Sequence, residues 1–339
     1  MNERSLLLAS LAETISDYRV GEIPIPTPEH VNRWVQQFGK EVQLPLLSEV
    51  DHVLKKTYFS KSSVGHFFGN LIGQEKIAGD KLQEFWRAVH VLDIQQHGHS
   101  QTEIRKLFSE SLKDQLKIQI DESGLAGGAF VYLDDVLFSG GRIGTDLSAW
   151  IVNEAPDGVT IHIVVIATHR LGEWQCMERL KKVAVQAGKA IDLHCWAAAR
   201  FENRLARRNT SEVLWPISVS DDPALQAYVA EEQRYPFRPR QPGGKSEHAI
   251  FSSEKGRQTL EREMLHAGMR IRSFSRNPNH FLRPLGFSAF GLGFGSMFAT
   301  YRNCPNNTPL ALWWGDPDAA PGHPFRNWYP LLPRKTYAP

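Results

Sequence analysis

Residues 130–196 alternate between apolar runs and longer amphipathic stretches, and this alternation limits the possible folds more than any other feature. Residues 130–133, 159–167 and 191–196 are short apolar runs rich in β-branched or aromatic side chains, which predicts strands. Residues 143–152 and 171–188 lie between these runs and suit helices, the second of them ended by glycine. This order predicts a parallel sheet with right-handed crossovers. Because the strand runs are nearly continuous, we expect both faces of the sheet to be covered.

The first 119 residues form a mainly helical region in this interpretation. Leucines and isoleucine between Leu6 and Ile15 recur at helical spacing, and Pro28 opens a second helical stretch. Asp80 is a candidate cap for a helix over 80–89. Ser100 and Glu103 resemble a capping box ahead of another helix.

The last third of the chain predicts a mixed α+β segment. Residues 235–246 are rich in proline and glycine, which indicates a linker or a surface strap. A helix is expected over 254–268, and strands over 294–301 and 310–314. The asparagine-rich residues 303–307 would join these strands as a hairpin. The predicted fold class is therefore α/β, divided into a helical region (1–119), a parallel-sheet core (120–235) and an α+β segment that completes the fold (236–339).

Composition excludes several broad classes. The 39 Lys and Arg residues nearly balance the 37 Asp and Glu residues, so no global field favours nucleic acid or a membrane surface. No stretch approaches the roughly 20 apolar residues that span a bilayer, and the run before Glu13 is too short for a secretory signal. The three widely spaced cysteines indicate reduced thiols, so we expect a cytoplasmic protein.

Residues 134–143 offer a solution to the two problems of binding a phosphorylated ribose. A 5′-phosphate needs several donors, and a glycine-rich loop that opens a helix supplies backbone amides and the positive end of the helix dipole. Residues 139–142 (Ser-Gly-Gly-Arg) form such a loop, and the Ser139 hydroxyl adds a donor. The ribose hydroxyls need acceptors, which Asp134 and Asp135 provide. The alternative is that this string is only a helix cap and a solvated turn.

The segment resembles the fingerprint of type I phosphoribosyltransferases, which is four apolar residues, two acids, two apolar residues, a spacer, Thr-Gly, a small residue and Thr. The match covers residues 130–141, with Ser139 in place of the first threonine and Arg142 where the second threonine is usual. The resemblance implies that Asp134 and Asp135 are catalytic-site acids for the ribose hydroxyls. It also implies a phosphate-binding set of Ser139, Gly140, Gly141, Arg142 and Ile143. We expect Mg²⁺ to bridge the pyrophosphate and the ribose hydroxyls, so that Asp134 and Asp135 hold the metal indirectly.

Five further residues are candidate catalytic or substrate-binding residues, and each also has a purely structural interpretation. His169 and Arg170 follow the second predicted strand and share the rim of the loop; His169 is a candidate catalytic residue, although a helix cap is the simpler role. Lys61 lies in a polar, basic stretch that would cover a pyrophosphate or form a solvated turn. Arg302 is available for a phosphate or an acid, and Asn303 for a base edge or a tight turn.

The chain as a whole resembles a bacterial group of phosphoribosyltransferase-like proteins encoded in conflict systems, including anti-phage loci that carry reverse transcriptases (retrons). The resemblance rests on blocks that together cover roughly residues 50–337. These blocks are Leu92–Gln96 with Gly98–Gln101, Leu214–Pro216 with Asp221–Pro223, Arg283–Phe287, Gly293–Ser296, and Tyr301–Trp313 with Pro333–Lys335.

This resemblance implies an immune effector with a phosphoribosyltransferase-like core. The leading hypothesis is transfer of a phosphoribosyl group, or cleavage of a related N-glycosidic bond, on phosphoribosyl diphosphate or another nucleotide. A non-catalytic nucleotide sensor within a reverse transcriptase or nucleic-acid defence complex remains open, as does direct binding of a 5′-phosphorylated nucleic-acid end. Salt-sensitive binding to single strands would favour the last of these.

Overall fold

The computed structural model describes residues 2–95, 100–120, 123–124, 128–219, 222–231, 236–289 and 291–334. Gln96, Gly98, His99, Asp221 and Lys335, which belong to the blocks above, lie outside this part of the chain. The helices are α1 (Glu3–Thr14), α2 (Pro28–Val35), α3 (Gln43–Thr57), α4 (Lys61–Ile72), α5 (Glu75–Ala78), α6 (Leu82–Ala88), α7 (Ser100–Leu116), α8 (Gly141–Asn153), α9 (Arg170–Gln186), α10 (Pro223–Glu231), α11 (Glu254–Ser273) and α12 (Leu310–Trp313). The strands are β1 (Tyr58–Phe59), β2 (His90–Val91), β3 (Phe130–Leu137), β4 (Val159–His169), β5 (Ile191–Phe201), β6 (Leu282–Arg283), β7 (Gly286–Phe287) and β8 (Ala299–Thr300).

The chain forms two compact units whose limits differ from the three sequence segments. One unit comprises residues 62–201, and the other combines residues 1–61 with 202–339. The first 61 residues belong with the C-terminal part because α1 and α2 pack together, and α3 packs against both α1 and α11. Apolar helix faces of this kind are stable only when another element covers them.

The unit of residues 62–201 contains the strands and helices of the predicted parallel sheet, although the predicted core extended to residue 235. Its sheet has the order β2-β3-β4-β5, and every neighbouring pair is parallel. In register, Leu133 of β3 lies opposite Val164 of β4, which lies opposite Trp196 of β5. A buried cluster that includes Tyr132, Leu147, Ile163 and Leu180 joins one face of the sheet to α8 and α9.

Strand β2 is the one part of this sheet that the sequence did not predict. It has only two residues, His90 and Val91, which pair with Phe130 and Val131. Two residues are too few to display the alternation by which a strand is recognised. The rest of the region before β3 is mainly helical, as expected.

The other unit has its own core, built mainly from helices. Leu11 of α1, Val50 of α3 and Leu260 of α11 are among the buried residues. Two buried tryptophans, Trp34 and Trp328, donate their indole N–H groups to the Ala311 carbonyl oxygen at 2.8 and 3.0 Å. These bonds satisfy the polar atoms of large apolar side chains, which is what allows such side chains into a core.

The predicted hairpin of residues 294–301 and 310–314 is wrong. Only Ala299–Thr300 is a strand in the first segment, and it pairs in parallel with Tyr58–Phe59. The second segment is the short helix α12, which follows Pro309 and is buried throughout. A strand and a helical turn that are buried on all sides both appear in the sequence as a short apolar run. The sequence pattern therefore did not distinguish a strand from a helix here.

The segment predicted as a linker or strap contains neither helix nor strand over residues 236–250. Arg240 fixes it to α11, because its fully buried guanidinium donates to Glu261 Oε2 at 2.9 Å and pairs with Glu254 at 2.8 Å. Arg257 also donates to Glu261, from Nε to Oε1 at 2.8 Å. Buried charges are tolerated when they are paired in this way.

Among the described helices, none has the length and apolar character required to cross a membrane.

Candidate functional site

Asp134 and Asp135 lie near the carboxyl end of β3. The strand ends at Leu137, beyond the predicted apolar run of residues 130–133. Both side chains are buried, with exposures of 0% and 1%. Asp134 Oδ1 accepts the Asp135 amide at 2.8 Å, and Asp135 Oδ1 accepts the Val136 amide at 2.8 Å. These local hydrogen bonds fix the orientation of each carboxylate at the edge of the sheet where ligands of open α/β proteins bind.

The turn after β3 opens helix α8. Gly140 is the N-cap residue, with φ 71° and ψ 1°, a left-handed conformation that glycine adopts without steric cost. Helical hydrogen bonding begins with the Gly144 amide and the Gly140 carbonyl at 2.9 Å, so the amides of the first turn are not used by the helix itself. A helix N-terminus of this kind favours anions, as the sequence predicted for the same residues.

Two glycines pack this turn against helix α9. A Cβ atom on Gly140 would lie 2.8 Å from the Cβ of Cys176, and a Cβ on Gly172 would lie 1.8 Å from the Phe138 carbonyl oxygen. The turn and helix α9 therefore approach each other more closely than a residue with a Cβ atom at Gly140 or Gly172 would permit. Burial raises the pKa of Cys176 to about 11, which keeps this neighbouring thiol protonated at neutral pH.

Arg142 connects the loop to the two acids. Its Nε lies 3.3 Å from Asp134 Oδ2, and its Nη2 lies 3.3 Å from Asp135 Oδ1 and 3.5 Å from Asp134 Oδ1. Burial by itself lowers the pKa of Arg142, but Asp134 and Asp135 outweigh it and raise the pKa above its ordinary value. The residue that stands in place of the second threonine of the fingerprint is thus a cation paired with the two buried carboxylates.

Tyr132 and Asp146 form a supporting pair that sequence reasoning missed. The Tyr132 hydroxyl donates to Asp146 Oδ2 at 3.0 Å, and both residues are buried. Burial, followed by the charges of Asp134 and Asp146, raises the pKa of Tyr132 above its ordinary value, so the hydroxyl remains a donor. Tyr132 lies two residues before Asp134 and therefore on the same face of β3. This spacing was the feature of the sequence that could have indicated that Tyr132 supports the site.

His169 ends β4 and precedes the first residue of α9, Arg170, on the same rim. Its ring is 1% exposed and lies 4.4 Å from the Phe138 ring and 5.7 Å from the Phe201 ring, between centroids. Burial lowers the pKa of His169 to about 3, so the imidazole is neutral at pH 7. It stands at the N-cap position of α9 without a side-chain capping hydrogen bond. Its catalytic role stays a prediction.

The segment that leaves β2 is held at the same edge of the sheet by Gln101. This buried side chain accepts the amides of Ile94 and Gln95 on its Oε1, at 3.0 and 2.9 Å, and Gln95 Oε1 accepts the Gln101 amide at 3.0 Å. Asp93 forms an ion pair with Arg105 of α7.

Lys61, Arg302 and Asn303 belong to the unit of residues 1–61 and 202–339, whereas the other candidates belong to the unit of residues 62–201. The Lys61 amide donates to Asp17 Oδ2 at 2.7 Å. The amides of Arg302 and Asn303 both donate to Thr300 Oγ1, at 3.3 and 3.1 Å, in a tight turn after β8. Contact of these three residues with a substrate remains a prediction.

The donor set fits a metal ion held through a ligand rather than a closed protein site. No three His, Cys, Asp or Glu side chains of the described residues come together as metal ligands. Asp134 and Asp135 nevertheless supply hard carboxylate oxygens beside the proposed ribose position, which is the chemistry that Mg²⁺ prefers.

Fold and site together define a phosphoribosyltransferase-like α/β protein, with two acids and a glycine turn on the rim of a parallel sheet. The chain belongs to the PRTase-CE family, a phosphoribosyltransferase-like family whose sequence model matches residues 31–334. No curated protein and no solved structure matches the chain. The match includes residues of both compact units and so extends well beyond the loop.

Proposed function

We propose that this protein binds phosphoribosyl diphosphate, or a related nucleotide, at the loop after β3 and transfers or cleaves the group at ribose C1. One observation carries the proposal: two buried carboxylates at the end of a parallel strand stand next to a glycine turn that opens a helix. Acceptors for ribose hydroxyls and donors for a phosphate are thereby combined in one short segment. Family membership supports the same class of chemistry.

The proposed reaction breaks the bond between C1 and its leaving group. The leaving group departs with the bonding electrons, as pyrophosphate or as a base, and a nitrogen of an acceptor or a water oxygen forms the new bond to C1. Positive charge develops on the ribose in between, so two carboxylates near the hydroxyls would stabilise the transition state. The amides of Gly141, Arg142 and Ile143 would hold the 5′-phosphate and fix the position of C1.

Asp134 and Asp135 would also contribute, indirectly, to binding the expected Mg²⁺. Bound Mg²⁺ would neutralise charge on a pyrophosphate and so make it a better leaving group. We propose that the two carboxylates orient the ribose hydroxyls that share this ion. Arg170, Lys61, Arg302 and Asn303 each remain an individually proposed substrate contact.

A non-catalytic nucleotide sensor is the second candidate, and one observation favours it. His169, the candidate acid or base, has a pKa lowered to about 3 by burial, so near neutral pH it is uncharged and only a weak base. Binding without turnover would suit a subunit that passes a nucleotide signal to a partner.

We further propose that either activity serves anti-phage defence in the cytoplasm, within a complex that includes a reverse transcriptase or nucleic acid. The resemblance of the sequence blocks to proteins of conflict systems supports this role. The free thiols of Cys176, Cys195 and Cys304 are compatible with a reducing compartment. Plaque counts on cells that carry the native locus, with and without Asp134→Asn/Asp135→Asn, would test it.

A turnover assay separates the biochemical candidates. Purified protein is incubated with Mg²⁺, phosphoribosyl diphosphate and a mixture of nucleobases, and separately with nucleotides, while released pyrophosphate and base are measured. Release by the wild type that is lost in Asp134→Asn/Asp135→Asn supports catalysis. Asp114→Asn on α7 is the matched control, because Asp114 is an exposed carboxylate of the same unit. Binding without release supports the sensor, and neither binding nor release overturns both.

A further inference from the structure

Arg142 occupies the acceptors that a ribose would need. Its guanidinium bridges the two carboxylates at 3.3 Å each, and Asp134 Oδ1 and Asp135 Oδ1 already accept backbone amides. Ribose hydroxyls and the guanidinium therefore compete for the same oxygen atoms. A ligand that brings its hydroxyls to Asp134 Oδ1 and Asp135 Oδ1, the two oxygens to which Arg142 Nη2 donates, displaces this cation.

Displacement has an electrostatic consequence. Asp134 and Asp135 are adjacent and buried, so without Arg142 two negative charges would remain in a poorly solvated site without this cation. The displaced guanidinium would in turn lose two charge-assisted contacts, which are the stronger class of hydrogen bond. The ribose hydroxyls, which donate to the carboxylates, offset the first loss, whereas the guanidinium is compensated only if the ligand offers an anionic group within reach of the moved side chain.

The direction of the side chain indicates which anionic group that is. Arg142 extends from the first turn of α8 towards the carboxylates, so its guanidinium lies at the ribose-hydroxyl side of the proposed pocket. The 5′-phosphate would be held by backbone amides of the turn. On a ribose, C2 is bonded to C1 and C3 to C4, which carries the 5′-phosphate. Because the turn amides would hold the 5′-phosphate, the phosphate left for the guanidinium would be the one on C1.

We infer that Arg142 is a specificity-determining residue: it pairs with Asp134 and Asp135 in this structure and exchanges them for a C1 diphosphate when ligand binds. It thereby selects a ribose with phosphates at both C5 and C1 over a ribose with the 5′-phosphate alone. This inference rests on the proposed function and deepens it. The threonine usual at this position of the fingerprint has no cation with which to make the exchange.

The test compares two probes, phosphoribosyl diphosphate and ribose 5-phosphate, both with Mg²⁺, by calorimetric titration. In the wild type we expect the diphosphate to bind more tightly. In Arg142→Thr the ratio of the two dissociation constants should fall at least about tenfold, because the diphosphate loses a charge-assisted contact while the monophosphate loses a competitor. Arg142→Lys, which keeps the charge without the planar fork, should give a smaller fall and serves if Arg142→Thr does not fold.

Arg179→Thr is the matched control. Arg179 is exposed on α9 and donates to Thr145 Oγ1 of α8 at 3.4 Å, so its substitution removes a cation near the loop without touching the acids. The ratio of the two dissociation constants in Arg179→Thr should equal the ratio in the wild type. Equal losses for both probes in Arg142→Thr would overturn the inference and leave the proposed function standing, whereas a wild type that binds neither probe would overturn both.

Discussion

Gly172 of α9 lies so close to Phe138 that a Cβ atom at Gly172 would stand 1.8 Å from the Phe138 carbonyl oxygen. Phe138 immediately precedes the glycine turn that opens α8, so this approach sets the distance between the turn and the helix that follows the next strand. The position of the candidate site thus depends on a residue of the following helix that has no side chain.

Gly172→Ala should move the loop and weaken ligand binding. The methyl group overlaps backbone atoms, which cannot rotate away, so we expect a loss of about 1–3 kcal/mol in the free energy of unfolding. Thermal unfolding and calorimetric titration with phosphoribosyl diphosphate would measure both effects. Gly65→Ala is the control, because Gly65 is also helical but a methyl group there would meet nothing within 4 Å. An unchanged melting temperature in Gly172→Ala would contradict this account of the packing.

Gly140→Ala should be more damaging than Gly158→Ala, although both glycines have φ 71°. Both substitutions force alanine into a left-handed conformation, which costs about 1–2 kcal/mol. A Cβ on Gly140 would also meet Cys176 and Gly172 at 2.8 and 2.9 Å, whereas one on Gly158 meets nothing within 4 Å. We expect an additional loss of about 1–3 kcal/mol for Gly140→Ala in chemical unfolding. Equal losses for the two variants would show that the close contact is relieved at no cost.

Glu261→Gln should strongly destabilise the unit of residues 1–61 and 202–339. Glu261 accepts hydrogen bonds from Arg240 and Arg257, and all three side chains are at least 95% buried. Removal of one partner leaves buried charge without compensation, which costs about 3–5 kcal/mol. Glu263→Gln, which removes an ion pair with the exposed Arg262, should cost less than about 1 kcal/mol. Denaturant unfolding of both variants measures the difference, and similar midpoints would argue against the role assigned to Glu261.

Stability should decline in acid partly because of His169. Burial lowers the pKa of His169 from 6.5 to about 3, so between these values the unfolded chain binds a proton that the folded chain does not. Its contribution is therefore complete above about pH 6.5 and decreases as the pH falls towards 3. In His169→Gln the fall of the urea midpoint between about pH 7 and 4.5 should be shallower than in the wild type. The exposed His66→Gln should follow the wild-type curve, and a His169→Gln curve parallel to the wild type would contradict the prediction.

The sequence predicted the parallel core well because its signals are local. The apolar runs of β3, β4 and β5, the glycine after Ser139 and the acids before it are each recognisable within a few neighbouring residues. The start of α8 at Gly141 differs from the predicted start at residue 143 only because the helix already includes the second glycine of the turn.

Features that depend on distant partners were not predictable in the same way. Strand β8 pairs with Tyr58–Phe59, about 240 residues earlier, and no local pattern indicates that pairing. The contact of Gly172 with Phe138 also depends on the fold, although a glycine in the first turn of a helix was a signal. Arg142 was expected to meet a phosphate or another ligand, and its contact with both acids follows from a side-chain direction that the sequence does not contain.

Calorimetric titration of phosphoribosyl diphosphate with Mg²⁺ into the wild type and Asp134→Asn/Asp135→Asn tests the central claim most directly. We predict a dissociation constant on the order of micromolar for the wild type, equivalent to about 8 kcal/mol of binding free energy, and no measurable binding for the double variant. Wild-type affinity in the Asp114→Asn control would show that the loss is specific to the two acids. Absence of binding by the wild type, or unchanged binding by the double variant, would contradict the assignment of this loop as a phosphoribosyl site.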